Sequence, residues 1–240
     1  MNYFILSFIS ILSVLPVQAQ KSLLDIGCSQ AFLRKGFHLG GHIAPGVGRI
    51  NQESLIGEDD DSEIAFAMNA GLDVVYYFND IFAIKSGFKY TMLQATYTFN
   101  YSSIDLSGYP ILPIHNDGTE VQKLHSFGIP LKVVLTSQGK VGFYLDAGVL
   151  FLFPMVSHAT LKQPYFNVDE ELFYELNTVV LNVESTIGVN FQLSDYTSLN
   201  LGLLGQVPLT DYYDSDRHKD GGFLVAVQLG IMWKIKRSDS

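Results

Sequence analysis

The stretch Ile64-Ala65-Phe66-Ala67-Met68-Asn69-Ala70-Gly71-Leu72-Asp73-Val74-Val75-Tyr76-Tyr77-Phe78 decides the fold of this chain. Ile64, Phe66, Met68, Leu72, Val74, Tyr76 and Phe78 fall on one face, interrupted only by Ala70. Ala65, Ala67, Asn69, Gly71 and Asp73 fall on the other. Side chains of an extended chain point alternately to opposite faces, so sustained period-two patterning marks a strand. About 15 residues of it exceeds the usual length of a strand in a soluble domain. A tilted strand crossing a bilayer needs about 9–11 residues in the hydrocarbon, with overhang at both ends.

The pattern recurs seven times. After a tight turn at Phe78–Asp80, Phe82, Ile84, Phe88, Tyr90 and Met92 oppose Lys85, Gly87, Lys89 and Thr91. Next, Phe127, Ile129, Leu131, Val133 and Leu135 oppose Ser126, Gly128, Pro130 and Lys132. Val141 to Phe153, Val179 to Phe191, Leu199 to Val207 and Phe223 to Ile235 repeat the arrangement. Their other faces carry Tyr144, Asp146, Glu184, Asn190, Gln206 and Gln228. A weaker, Gly-rich first segment spans Phe37 to Ile50, with His38 and His42 on its polar side. The connections alternate in length. Phe78–Asp80, Thr136–Lys140 and Ser194–Thr197 are short, whereas Asn51–Glu63, Asn100–Gln122, Pro154–Leu176 and Pro208–Gly221 are long. Tight turns at one end and long loops at the other are the layout of an outer-membrane barrel.

Alternation does not by itself say which face looks outward. A soluble eight-stranded barrel turns its apolar side in and needs a charged exterior. Here the polar faces hold few charges and many Gly, Ala, Ser and Asn, which suits a narrow interior. Aromatics gather in two groups. Tyr76, Phe78, Phe82, Phe143, Phe191 and Trp233 lie near the short turns; Tyr90, Tyr97, Phe99, Phe151, Phe153, Tyr212 and Tyr213 lie toward the long loops. Two girdles are expected where a barrel meets the two interfaces. The expectation is therefore an all-β, eight-stranded antiparallel up-and-down transmembrane β-barrel over residues 37–236, monomeric in the lipid of the bacterial outer membrane. A soluble periplasmic ligand-binding barrel is the alternative.

Composition agrees. Of 240 residues, 48% are hydrophobic and 16% charged, which excludes a disordered chain. Mean hydropathy of +0.19 is high for a soluble protein, yet the one long apolar run is Tyr3 to Val17. With Val17-Gln18-Ala19 after it, that run reads as a signal peptide over residues 1–19, followed by a short periplasmic segment over 20–36. No Lys or Arg precedes Lys21, so a retained helix anchor is the competing reading, although about 15 residues falls short of a span. Gly27-Cys28 resembles the end of a lipobox, but Gln18, Gln20, Lys21 and Asp25 separate it from the apolar run. A single cysteine excludes an intramolecular disulfide, and a net charge of −9 argues against nucleic acid as a partner.

If the polar faces point inward, Asp73, Asp146 and Glu184 meet Lys85, Lys89 and Lys132 in mid-barrel. Three acids and three bases sum to zero, as a low-dielectric interior demands. A lumenal ion-pair network is expected, serving either as a polar plug or as a constriction for small solutes. In the first long loop Glu58, Asp59, Asp60 and Asp61 form a candidate cation-binding cluster, without EF-hand spacing. Asp211, Asp214, Asp216, His218 and Asp220 crowd the last loop in the same way. No catalytic site and no cofactor is expected. Gly-x-Gly-x-x-Gly, P-loop and metal-type Cys/His spacings are absent, and the only local groupings worth naming are His125-Ser126 and Asp214-Ser215-Asp216 with His218. The first of these would point to opposite faces of a strand.

Ile129-Pro130-Leu131-Lys132, the Ser137-Gln138-Gly139-Lys140 turn, Phe143-Tyr144-Leu145-Asp146-Ala147-Gly148 and the closing Leu229-Gly230-Ile231-Met232-Trp233 resemble the PorT-like outer-membrane β-barrel proteins of Bacteroidota. That resemblance implies a small integral barrel, in a family whose founding member assists a secretion system. The tail at residues 237–240 departs from it, since such barrels often finish on an aromatic residue; Trp233 or Ile235 would serve instead. The function expected is non-enzymatic: an envelope component that is structural or engages a protein partner through its long loops.

Overall fold

The computed structural model describes residues 35–51, 61–102, 115–137, 139–162, 169–172, 176–212 and 221–235. Eight long antiparallel strands form the wall: β1 (Gly36–Asn51), β3 (Ala65–Tyr77), β4 (Phe82–Ser102), β5 (His115–Thr136), β6 (Val141–Lys162), β8 (Val180–Gln192), β9 (Thr197–Pro208) and β10 (Gly221–Lys234). Two short strands, β2 (Asp61–Glu63) and β7 (Asp169–Leu172), pair with β4 and β6 near the long-loop end. Each long strand pairs with the next, and β10 returns to β1 from His38↔Lys234 to Asn51↔Gly221, so the wall closes on itself. Closure removes the edges that would otherwise offer unpaired backbone groups.

Period-two chemistry determines which way each residue faces. Leu72 is 67% exposed and its neighbour Asp73 is 5% exposed; Phe88 is 71% exposed and Lys89 is 2% exposed. The apolar face is thus the outer one, opposite to the soluble alternative, and the polar face lines the lumen. On β1 the outward apolar run from Phe37 to Val47 covers roughly 25 Å along the barrel axis, allowing for strand tilt, which matches a hydrocarbon core. Near the short-turn end the rings of Phe37, Tyr76, Phe78 and Phe82 follow one another at centroid separations of 4.7, 5.1 and 5.5 Å. Tyr90 and Phe127, 5.6 Å apart, stand toward the other end.

All three tight turns have a local cause. Asn79 Oδ1 accepts hydrogen bonds from the N–H of Ile81 (2.9 Å) and Phe82 (2.8 Å), closing β3 onto β4. Ser194 Oγ does the same for Tyr196 (3.2 Å) and Thr197 (3.1 Å) between β8 and β9. Between β5 and β6, Ser137 Oγ accepts from Phe143 N–H (2.8 Å), and Gly139 takes a φ of 120° that only glycine adopts without strain. Two prolines interrupt the ladders. The β1–β10 register skips from Ile43↔Leu229 to Gly46↔Ala226 around Pro45, and the β4–β5 register skips from Ser86↔Leu131 to Lys89↔Gly128 around Pro130.

The structure corrects the loops. The Asn100–Gln122 and Pro154–Leu176 connections are not loop throughout: β4 and β5 stay paired out to Ser102↔His115, and β5 and β6 to Thr119↔Lys162. Once a strand leaves the hydrocarbon its outer face no longer needs to be apolar, so alternation fades while backbone pairing continues. The wall is therefore taller on the β4–β6 side than on the β8–β10 side. A second correction concerns Tyr212, expected in the outer girdle. It is buried at the lumen mouth, where Asn182 Nδ2 donates to its hydroxyl (3.2 Å). Tyr212 lies beyond β9, so strand parity does not govern it; Asn177 holds that segment through N–H to Tyr212 C=O (2.9 Å) and Nδ2 to Asp211 C=O (3.0 Å).

Candidate functional site

The lumen is layered. Mid-barrel, the six charged residues picked out by parity meet in one continuous chain, joined by His42. His42 Nδ1–H donates to Asp73 Oδ2 at 2.8 Å, and Lys85 Nζ donates to the same oxygen at 3.2 Å. Lys85 also reaches Asp146 Oδ2 (3.4 Å), and Lys132 reaches Asp146 Oδ1 (2.9 Å). Lys132 then pairs with one carboxylate oxygen of Glu184 and Lys89 with the other. The order His42–Asp73–Lys85–Asp146–Lys132–Glu184–Lys89 alternates base and acid and draws on β1, β3, β4, β5, β6 and β8. Every carboxylate in it is buried and meets two cationic or imidazole partners, the condition under which buried charge is tolerated.

Sequence reasoning placed His42 on the inner face but did not connect it to the network. Gly71, paired with it across β1 and β3, is what admits the ring: a Cβ there would stand 2.7 Å from His42 Cε1. Beyond the charged chain the inner face carries amides. Asn190 Nδ2 donates to Asn200 Oδ1 (2.6 Å), and Asn69 Nδ2 to Thr91 Oγ1 (3.4 Å).

Apolar layers close the lumen on either side of this polar one. At the turn end Val75, Tyr77, Ala83, Val134 and Met232 form one buried cluster. At the loop end a larger cluster is built from Ile50, Leu93, Leu124, Leu150, Leu152, Val180, Leu204 and Leu224, with Tyr212 and Leu176 against it. Sequence reasoning missed both layers. Their signal was present: near strand ends, as in Val74-Val75-Tyr76-Tyr77 and Leu150-Phe151-Leu152-Phe153, alternation gives way to residues apolar on both faces.

The remaining candidates fall elsewhere. His125 and Ser126 do face opposite ways: His125 is half-buried on the outer side, with its Nδ1 2.6 Å from Tyr90 Oη, and Ser126 is buried inside. Glu58, Asp59 and Asp60 lie outside the described residues, while Asp61 opens β2 and pairs with Thr98 through its backbone. Cys28, the segment expected to be a signal peptide, the residues from Tyr213 to Asp220 and the tail also lie outside them. Among the described residues, no group of three or more His, Cys, Asp or Glu side chains is arranged to hold a metal.

A closed eight-stranded wall with an apolar exterior and a packed, charge-balanced interior defines an integral membrane β-barrel. The chain belongs to the outer membrane protein beta-barrel domain family, whose model matches residues 18–238. It is a protein of the bacterial outer membrane. Solved structures similar to it include Neisserial surface protein A (16% identity, 86% of this chain and 100% of that one, TM-score 0.44). The outer membrane protein OprG of Pseudomonas aeruginosa follows (10% identity, 87% and 100%, TM-score 0.42), as does Ail of Yersinia pestis (11%, 82% and 99%, 0.34). No curated protein matches the sequence.

Proposed function

We propose that this protein is a non-enzymatic, monomeric barrel whose lumen is a structural lock and whose work is done at its loop end, by engaging a protein partner of the cell envelope. One observation carries the reading: the ion-pair chain is sandwiched between two apolar layers, so solute would have to displace packed side chains to pass. An eight-stranded barrel has only enough interior for its own side chains. The tall β4–β5–β6 wall with β2 and β7 at its margins supports placing the partner at that end. Assistance to secretion belongs to the proposal through the PorT-like resemblance, which rests on short motifs around Pro130 and Asp146.

The purified barrel in planar bilayers is expected to stay electrically silent; a large, stable open channel would replace the lock with a pore. For the loop end, a strain lacking the gene is complemented with a chain in which residues 103–114 are replaced by a short turn. The barrel is expected to assemble but not to restore the envelope phenotype. Full complementation would move the function away from that wall.

A further inference from the structure

The polar layer is uneven around the lumen. Its charged chain stops at β8, and β9 and β10 contribute only the neutral amides Asn200, Gln206 and Gln228. On that side a cavity of about 20 Å³ separates the layer from the turn-end apolar cluster. Tyr144, Asn190 and Gln228 line it. Tyr144 Oη, Asn190 Oδ1 and Gln228 Oε1 have no protein hydrogen-bond partner, although each side chain is more than nine-tenths buried. A buried polar atom without a partner bears its full desolvation cost, so such atoms call for an explanation.

Tyr144 is carried to this place by glycines. Gly188 and Gly202 pair across β8 and β9. A Cβ at Gly188 would stand 2.7 Å from Tyr144 Cε1, and one at Gly202 would collide with the hydroxyl. The ring thus lies across both strands from its origin on β6. Gly202 in turn pairs with Gln228 on β10, so the hydroxyl ends beside the strand that carries that amide.

We infer that this cavity is an ordered-water site, in which one water accepts from the Tyr144 hydroxyl and donates to Gln228 Oε1 and Asn190 Oδ1. The volume suits one molecule, which needs about 10–15 Å³ and two to four polar partners. The bonding balances: one donor and two acceptors meet a molecule with two protons and two lone pairs. Lys85 and Asp146 also line the cavity and pair with each other at 3.4 Å, so the site carries no net negative charge to hold a metal cation. An apolar guest would leave the three oxygens as they are. With this water in place polar groups of β6, β8 and β10 are joined, and β9 is added through the Asn190–Asn200 bond. The three oxygens are shut off from bulk solvent, so the water bound to them is expected to exchange slowly.

The test is magnetic resonance on the folded barrel in lipid nanodiscs, with potassium phosphate as the only buffer salt. Cross-relaxation from water to the Gln228 side-chain amide and to the Tyr144 ring is expected, with the sign of a long-lived bound molecule. It is expected to vanish at the Gln228 amide in Tyr144→Phe and at the Tyr144 ring in Gln228→Leu, each checked for folding by heat-modifiable gel mobility. Loss of the signal in either folded variant supports the site; should neither fold, the wild-type measurement decides alone. Absence of cross-relaxation in the wild type, xenon-induced shifts at these residues, or a signal that tracks potassium concentration would each overturn the inference.

Discussion

The two sides of the lumen solve the same problem differently. From β1 through β8 the interior is held by full charges, and each carboxylate meets two positive or imidazole partners. From β8 through β10 it is held by amides and the Tyr144 hydroxyl, and several of their oxygens have no protein partner. A buried charge without its counterpart costs several kcal/mol, so each carboxylate on the ionic side must meet its cations within the protein, even though Asp73 Oδ1 and His42 Nε2 there have no hydrogen-bond partner of their own. A neutral amide or hydroxyl costs less, so the other side tolerates completion by solvent. The strength of coupling between residues should therefore fall from one side to the other.

That expectation can be broken in order of size, using denaturant midpoints of barrels refolded into vesicles. Lys132→Met leaves Asp146 and Glu184 short of a cation and is expected to cost about 3–5 kcal/mol. Adding Glu184→Gln restores charge balance and should recover part of the loss; strict additivity of the two would argue against a coupled chain. Leu72→Arg places a charge on the lipid face, one residue from Asp73, and is expected to cost about 2–4 kcal/mol at mid-bilayer. A neutral result would mean that the outer face is not in hydrocarbon. Gly188→Ala, at the boundary of the two sides, meets the backbone oxygen of Leu201 and the Tyr144 ring, for about 1–3 kcal/mol. Less than a few tenths would show that the β9 backbone at Leu201–Gly202 gives way as well as the ring. Gln228→Leu, on the amide side, should cost only about 0.5–1.5 kcal/mol. A loss as large as that of Lys132→Met would erase the distinction between the sides.

Much of this arrangement was legible residue by residue. Parity in Leu72-Asp73 and Phe88-Lys89 sorted the residues onto two faces, because a strand offers only two directions, and the small, sparsely charged polar face then identified itself as the inner one. Asn79, Ser194 and Gly139 marked turns through bonds that span only a few residues. Legibility failed where local rules stop. Tyr212 turned inward because it follows β9 rather than continuing it. The β4–β6 wall outlasted its hydrophobic pattern because backbone pairing does not depend on side-chain polarity. The apolar layers escaped notice because residues apolar on both faces look the same whether they meet lipid or one another.

The sequence by itself determined the class of this protein: strands of membrane-crossing length, turned greasy side out, with a balanced set of charges inside. Those properties are written in neighbouring residues and need no knowledge of what lies across the barrel. Only the tertiary structure decided who pairs with whom. Lys89 and Glu184 are 95 positions apart in the chain, and Tyr144 reaches past β8 and β9 toward Gln228. Strand register and shear set those meetings when the wall closes. The charged chain, its apolar covers and the small polar cavity beside it are therefore properties of closure, which no single strand carries.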